Sequence, residues 1–293
     1  MNTEYLLTIF IFINIYIILS SSLNLIVGLG GMMSLCHAAF YGLGAYIGAL
    51  ALLNLGCSFF LATLLAIIGC SLLSIAVAYL SLRLKGDYFV LASLGFQSIV
   101  YIILLNWVKV TKGPYGLNDI PSPQFFGLDF SGHHREMWFL FTTIVMVVSV
   151  LLISFIMDSP FGRTLKSIRD DEIAAASLGK NVPSFKIRTF ALAAGFAAVA
   201  GMLYAGFSRY INPSSFTIME SVFILSIIII GGAGNLRGPI IGSIVLVILP
   251  ELLRELGMND AVAANVRQII YGLAIIFMIR WRPQGLLGNY TFS

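Results

Sequence analysis

Charge is scarce in this sequence. Only 10% of the 293 residues are Asp, Glu, Lys or Arg, against about 25% in a usual soluble domain, and 59% are hydrophobic. A chain of this length cannot cover a single core with so little polar surface, which excludes a soluble globular protein. The apolar residues form continuous runs instead of alternating ten-residue strands, which excludes a transmembrane β-barrel. The sequence therefore predicts an all-α, polytopic protein whose solvent is lipid.

Cysteine is also scarce, and motifs for metals and nucleotides are missing. Cys36, Cys57 and Cys70 lie in apolar runs without metal-ligand spacing, so we interpret them as packing residues. His133 and His134 have no carboxylate spaced to complete a metal site. No G-x-x-x-x-G-K-[ST] occurs, which excludes a P-loop ATPase site. We expect no metal, no cofactor and no enzymatic activity of the chain itself.

The long apolar runs predict a single transmembrane domain, 1–293, with about eight to ten transmembrane helices, some of them short or broken. The runs lie near 5–27, 33–55, 58–82, 88–108, 137–157, 188–210, 218–231, 239–256 and 266–281. At 1.5 Å per residue the run at 218–231 is too short to cross about 30 Å of hydrocarbon, so we expect it not to span alone.

Two glycine-rich segments, 28–34 and 231–239, interrupt these runs and form a weak internal repeat. Both place two glycines before a small polar residue and a leucine. Broken helices offer polar groups to a substrate at mid-depth in many transporters. The candidate substrate pathway is therefore Gly30, Gly31, Ser34, His37, Gly231, Gly232 and Asn235. The alternative is that the glycines only permit close helix packing and that His37 is a hydrogen-bonded packing residue.

The segment 162–179 is the one extended charged stretch, with six charges in eighteen residues. Ser159 and Pro160 suit the start of a helix, and a second start is predicted at Asp170. Asp171 and Glu172 then complement the helix dipole, and Gly179 suits a left-handed C-terminal cap. The segment is either a solvated loop or a docking helix whose small face would be Ala174, Ala175 and Ser177.

Lysine and arginine set the predicted orientation. With the 158–187 loop in the cytoplasm, eleven of the 17 basic residues lie on that side and six lie opposite, which satisfies the positive-inside rule. The N-terminus is then outside, the C-terminus is cytoplasmic, and the 109–136 loop is external. The cytoplasmic group is Arg83, Lys85, Arg163, Lys166, Arg169, Lys180, Lys186, Arg188, Arg237, Arg280 and Arg282.

Three acidic residues lie near the ends of predicted spans. Asp87 suits an N-terminal cap, with an ion pair to Arg83 or Lys85 as its alternative, and Glu220 suits a cap or a position at the external mouth. An ion-driven secondary transporter would need paired acids inside the membrane, and only these two and Glu251 come close.

Several motifs together identify a resemblance. From the GR-x-L-x-x-IRD-x-E-x-AA-x-x-LG run at 162–179, the chain resembles the permease subunits of ATP-binding-cassette importers for branched-chain amino acids, of the LivM type. The other shared motifs are LKGDYF at 84–89, LGF at 94–96, TKGPYGL at 111–117, GGAGNLRGP at 231–239 and RPQGLLG at 282–288. Each motif is weak alone, but they occur in the family's order over most of the chain.

The resemblance implies a permease of the bacterial inner membrane. Its partners would be a second homologous permease, two cytoplasmic ATPases that bind the ATP, and a periplasmic substrate-binding protein. It also implies that the charged helix couples the permease to the ATPase, through Arg169, Asp170, Asp171, Glu172, Ala174, Ala175 and Gly179. Ile173 interrupts the strict EAA-x3-G spacing of importers. The alternatives are a urea or short-chain amide permease of the same superfamily and an ion-coupled secondary transporter.

Overall fold

A computed structural model of the protein describes residues 3–84, 86–125, 128–129, 135–255, 260–282 and 284–287. These residues are almost entirely helical. The sheet among them is a small antiparallel hairpin in the 109–136 loop, β1 Gln124–Phe125 and β2 Leu128–Asp129. Lys85, His133 and His134 lie outside the described residues, so the predictions that involve them are not addressed.

Twelve α-helices occur within the described residues, and most of them follow the predicted apolar runs. They are α1 Thr3–Asn24, α2 His37–Leu55, α3 Phe59–Arg83, α4 Asp87–Asn106, α5 Val108–Thr111, α6 Arg135–Asp158, α7 Pro160–Asp170, α8 Glu172–Ser177, α9 Val182–Ser208, α10 Ile218–Gly231, α11 Arg237–Glu255 and α12 Asp260–Trp281. In this part of the chain seven helical segments are long and apolar enough to cross a membrane, and α12 adds a shorter apolar stretch. The predicted all-α, polytopic class is confirmed.

The run at 218–231, predicted to be too short to span alone, is extended in the structure by a preceding turn. The α10 helix has the predicted bounds, Ile218–Gly231, but a 3-10 turn at Pro213–Phe216 precedes it. Together they form a 19-residue candidate span. Asn212 starts this turn, because its side-chain oxygen accepts a hydrogen bond from the Ser215 amide at 3.1 Å. The polar turn residues therefore lengthen the segment in a way that hydropathy alone does not show.

The centre of the bundle is formed by helices rich in small residues. In α2 and α9, 67% of the most apolar window is buried, against 17% in α6, so α6 is peripheral. Backbones approach closely where Gly44 of α2 faces Ala198 of α9, and a Cβ at Gly44 would collide with that residue. Lipid gives no hydrophobic drive for helices to associate, so close packing of small residues is what holds them together.

The two ends of the bundle differ in structure. At one end, α7 and α8 lie beside the two glycine-rich segments. At the opposite end, the loops that follow α5 and α9 are joined by a backbone pair, in which the Leu117 amide donates to the Ile211 carbonyl at 2.9 Å and the reverse bond is 3.1 Å. Under the predicted orientation, the first end is cytoplasmic and the second is external.

Candidate coupling site and glycine breaks

The charged segment folds into two short helices. The α7 helix starts as predicted, because the Ser159 hydroxyl accepts a hydrogen bond from the Gly162 amide at 3.3 Å and Pro160 occupies the first turn. Gly179, at φ +78°, follows α8 in the left-handed conformation that was predicted for its C-terminal cap.

The second helix begins one residue later than predicted. Asp170 is the last residue of α7, and Asp171 is the N-cap of α8 in extended conformation. Its carboxylate accepts hydrogen bonds from the amides of Ile173 and Ala174, both at 2.9 Å. Asp171 therefore separates α7 from α8. Its carboxylate accepts the hydrogen bonds that backbone carbonyls would accept from those amides in a continuous helix.

The α8 helix is tied to α9 by one ion pair and one apolar contact. The Lys186 ammonium lies 3.1 Å from both oxygens of Glu172, and its side chain is only 7% exposed. Ala175 is buried against Ile168 and Val182. The prediction that Ala175 belongs to an exposed docking face is therefore wrong, because its side chain packs inward between α7 and α9.

Two large apolar side chains are exposed at this helix, Ile173 in the first turn of α8 and Leu178 at the cap position that follows it. Ile173 is 75% exposed and Leu178 is 80% exposed, while Ala174 and Ser177 beside them are also exposed. Sequence reasoning missed Ile173 and Leu178, although their apolar character within a charged and small-residue segment was visible. Exposed apolar side chains on an anchored helix make this segment a candidate docking surface.

Arg169 connects α7 to the first glycine break. Its Nη1 donates a hydrogen bond to the Gly28 carbonyl at 2.8 Å, and its Nε and Nη2 contact Asp170 at 2.9 and 2.8 Å. Gly31 has φ +65°, and a Cβ there would lie 2.5 Å from Cγ of Arg169. Glycine at position 31 therefore suits both the positive φ of the backbone and the close passage of the arginine stem.

The two glycine breaks lie against each other, bridged by Asn24. After α1 the backbone widens into a single π-helical turn, Leu25–Leu29. The Asn24 side chain donates to the Asn235 carbonyl at 2.8 Å and accepts from the Gly234 amide at 3.0 Å. Backbone groups that the interrupted helices leave open are thus paired between the breaks.

The second break is closed by the segment 284–287. The amides of Leu286 and Leu287 donate to the carbonyls of Ile230 and Gly231, at 2.9 and 3.0 Å, at the end of α10. The Asn235 side chain donates to the Leu287 carbonyl and accepts from the Gly238 amide at 2.9 Å, which starts α11. The part of the 282–288 motif that this segment covers, 284–287, therefore has a structural role that the sequence did not reveal.

Two of the seven candidate pathway residues lie at a cavity beside the coupling helices. Gly30 and Gly31 line a cavity of about 340 Å³ with Arg169, Glu172 and Lys186. The other five candidates are not among its lining residues. Their substrate contacts stay a prediction.

Ser34 and His37 lie in the buried core. The Ser34 hydroxyl contacts the Cys36 sulfur at 3.1 Å, and the His37 Nε2 lies 2.8 Å from the Ser22 hydroxyl.

Asp87 is the first residue of α4 and Gly86, at φ +55°, occupies the cap position, so the predicted cap role of Asp87 is wrong.

A family model for the permease component of branched-chain amino acid transport systems matches residues 5–279. The chain belongs to this family. The matched range includes both glycine breaks and the whole of α7 and α8, so the contacts described above lie within the family's region.

Three relatives show how close the similarity is. The chain is 37% identical to the high-affinity branched-chain amino acid transport system permease protein LivM of Escherichia coli K12, over 93% of this chain and 68% of the relative. It is 26% identical to LivH of the same strain, over 94% and 91%. It is 28% identical to the autoinducer 2 import system permease protein LsrC of Salmonella paratyphi B, over 60% and 52%. No solved structure matches the chain significantly.

Proposed function

We propose that this chain is the membrane-spanning permease subunit of an ATP-binding-cassette importer, and that it carries leucine, isoleucine and valine across the bacterial inner membrane. The observation that carries this proposal is α8, a capped and ion-paired helix with an exposed Ile173 in its first turn and an exposed Leu178 at its C-terminal cap. The LivM and LivH relatives, named for branched-chain amino acid transport, support the substrate class. LsrC is named for autoinducer 2, so the relatives of this chain differ in the compound they are named for, and the substrate needs a direct test.

The coupling mechanism follows from the two connections of the α7–α8 unit. Movement of a docked ATPase displaces α8, and the Glu172–Lys186 ion pair passes the displacement to the start of α9. Arg169 passes it to the Gly28 carbonyl, where the backbone is already widened into a π-helical turn. A helix held at both points transmits a push, whereas a loose loop would absorb it.

The proposed assembly contains four other subunits. A second homologous permease completes the pathway, two cytoplasmic ATPases bind and hydrolyse ATP, and a periplasmic protein delivers the substrate. The N-terminus lies outside and the C-terminus lies in the cytoplasm, which puts α7 and α8 within reach of the ATPases. The presence of both LivM and LivH among the relatives supports a pair of permeases.

Co-purification tests the docking surface. The double substitution of Ile173→Ser and Leu178→Ser should lower the ATPase retained on the purified permease by at least about 10-fold, because exposed anchors of this kind dominate binding energy. The thermal stability of the permease itself should change by less than about 0.5 kcal/mol, since both side chains lie in water. Ser177→Ala, which keeps both apolar side chains, is the matched control. Equal ATPase recovery from the double variant and the control would contradict the docking role.

The Glu172–Lys186 pair offers an internal comparison. Glu172→Gln leaves a buried ammonium without its carboxylate, whereas Lys186→Met removes the buried charge itself. Breaking a buried pair from one side costs on the order of 3 kcal/mol, and an apolar replacement of the buried partner costs much less. Thermal unfolding should therefore rank Glu172→Gln below Lys186→Met in stability, while both lose ATP-driven uptake. A normal uptake rate in both would remove this pair from the coupling path.

Uptake into proteoliposomes tests the substrate class. Proteoliposomes that contain the complete complex should accumulate leucine, isoleucine and valine only when ATP is present on the side of the membrane that the ATPases face. Competition by urea as strong as that by leucine would favour the amide permease, and uptake driven by an ion gradient without ATP would favour a secondary transporter.

A further inference from the structure

The cavity beside the coupling helices has the size of a small-molecule site. Its volume of about 340 Å³ lies within the roughly 300–1,000 Å³ of such sites, and it is lined by the first glycine break and by residues of α3, α4, α7, α8 and α9. Its charged lining residues are two acids and two cations, Asp87, Glu172, Arg169 and Lys186. Their formal charges cancel, which favours a ligand without net charge over a phosphate or a polyamine.

Lys186 supplies a hydrogen-bond donor at this cavity. Its side chain is buried, and its ammonium contacts the two oxygens of Glu172. An ammonium carries three N–H groups, and two contacts engage at most two of them. Within the described part of the chain no other acceptor contacts this ammonium, so one N–H is available to a carboxylate of a ligand. Arg169 and Glu172 make the contacts given above and are not assigned to the ligand.

Asp87 and Ser81 supply acceptors at the same cavity. Asp87 is exposed at the start of α4, and its carboxylate forms no hydrogen bond or ion pair with any residue that the structure describes. Arg83, considered above as its partner, donates instead to the Tyr79 hydroxyl at 3.2 Å. The Ser81 hydroxyl donates to the Ala78 carbonyl at 2.6 Å, so its oxygen stays available as an acceptor. A carboxylate and a hydroxyl oxygen together suit a primary ammonium group.

The rest of the cavity lining is mainly apolar. Met32, Phe89 and Ile168 are buried there, and Val90 is half-buried. Phe89 packs edge-on against Phe190, with ring centroids 5.9 Å apart, so this part of the wall is held in place from behind. An aliphatic side chain fits such a wall, whereas a charged one would lose its hydration without a partner.

We propose that this cavity binds a zwitterionic amino acid with an aliphatic side chain, at the coupling-helix end of the bundle. Lys186 donates to the carboxylate of the ligand, Asp87 and Ser81 accept from its ammonium, and the wall of Met32, Phe89 and Ile168 takes its side chain. The ligand therefore contacts the lysine that ties α8 to α9. The identity of the amino acid rests on the proposed transport function, whereas the site is tested by an assay that needs neither ATP nor transport.

Protection of an engineered cysteine tests the site directly. Met33 lines the cavity and is half-buried, so Met33→Cys places a smaller side chain with a thiol there. Cys36 and Cys70 are buried, and Cys57 is replaced by alanine. The complex of permeases and ATPases is placed in phosphatidylcholine nanodiscs without the soluble binding protein, which would sequester leucine, and the rate of maleimide labelling is measured. Ser167→Cys, exposed on α7 outside the cavity, is the labelling control.

Leucine should slow labelling of Met33→Cys but not of Ser167→Cys. Isopentylamine, which lacks the carboxylate, and 4-methylpentanoate, which lacks the ammonium, should each need at least about 10-fold higher concentrations, because each loses a charge-assisted hydrogen bond. Free lysine, whose side chain is charged, should protect less than leucine at every concentration.

Substitutions at the two charged ends should differ in which compound they affect. Asp87→Asn should raise the half-protecting concentration of leucine by at least about 10-fold and leave that of 4-methylpentanoate unchanged, because only leucine carries an ammonium. Lys186→Met should raise the value for leucine and 4-methylpentanoate but not for isopentylamine. A purely structural effect would change all three alike. Asp158→Asn, an exposed acid at the same end of the bundle outside the cavity, is the matched control and should change none.

Each contrary outcome has a distinct meaning. Equal protection by all three compounds, or unchanged leucine protection in Asp87→Asn, would overturn the site even if ATP-driven leucine uptake is normal. Protection of Ser167→Cys as strong as that of Met33→Cys would place the effect outside the cavity, with the same consequence. Protection by phosphatidylethanolamine but not by leucine would show a lipid headgroup site and would overturn the proposal as well. Leucine protection in a complex that takes up no amino acid would instead contradict the proposed function and leave the site standing.

Discussion

The two glycine breaks are adjacent, yet they are held in different ways. The first break, at 28–34, is contacted by a side chain from outside it, since Arg169 reaches the Gly28 carbonyl from α7. The second break, at 231–239, is closed by backbone hydrogen bonds from Leu286 and Leu287. A long side chain can change its conformation at little cost, whereas a backbone pair fixes two segments together. The first break is therefore suited to move and the second to anchor.

The contrast gives the repeated motif two roles. If both breaks were fixed by backbone contacts, a push on α8 could not alter the pathway without unfolding it. If both were held by side chains, the ends of α1 and α10 would not be fixed in position relative to the rest of the bundle. Asn24, which bonds to the second break from the end of α1, is the link between the movable and the fixed part.

The largest effect should come from adding a methyl group in the second break. In Gly231→Ala the new Cβ would collide with the Gly238 backbone, which cannot yield as a side chain could. We expect a loss of several kcal/mol, as in overpacked cores, and little folded protein at 37 °C. Gly95→Ala, a helical glycine of α4 with nothing within 4 Å of its Cβ, should be neutral or more stable by up to about 1 kcal/mol. Thermal unfolding in detergent measures both, and equal midpoints would refute the rigid anchor.

A smaller effect is expected at the link between the breaks. Asn24→Ala removes two hydrogen bonds and leaves the Gly234 amide and the Asn235 carbonyl without this partner, which should cost about 2–3 kcal/mol. Asn106→Ala removes one exposed bond within its own helix and should cost less than about 0.5 kcal/mol. The shift in unfolding midpoint compares the two. If they shift alike, the breaks are not held together through Asn24.

Much of this architecture could be predicted because membrane helices carry a strong local signal. The bounds of α10 and the starts and ends of α3, α4 and α6 fall within two residues of the apolar runs. The caps at Ser159 and Gly179 were also predictable, because capping depends on residues a few positions apart. The start of α8 was off by one residue because Asp170 and Asp171 are equally good caps by type, and only the backbone angles separate them.

The contacts between distant segments could not be predicted from one sequence. Nothing local to Arg169 indicates that it reaches Gly28, and nothing local to Glu172 indicates Lys186 as its partner. Glu220 and Glu251 were noted as acids near span ends, but nothing local to either residue indicates its tyrosine partner, Tyr16 or Tyr5.

Among the substitutions at the two breaks, the smallest change in stability, and the sharpest test of the movable break, is expected for Gly31→Ala. Gly31 and Gly56 both have positive φ, +65° and +58°, so alanine strains the backbone by about 1 kcal/mol or slightly more at either position. Only at position 31 does the new Cβ also meet the stem of Arg169, and that flexible side chain can swing away. The two variants should therefore unfold at similar temperatures, while ATP-driven uptake falls by at least about 10-fold in Gly31→Ala alone, because the contact with Gly28 is lost. ATPase activity without uptake in Gly31→Ala would show that the ATPase still docks but that its movement no longer reaches the first break. Normal uptake would show that the first break does not move through Arg169.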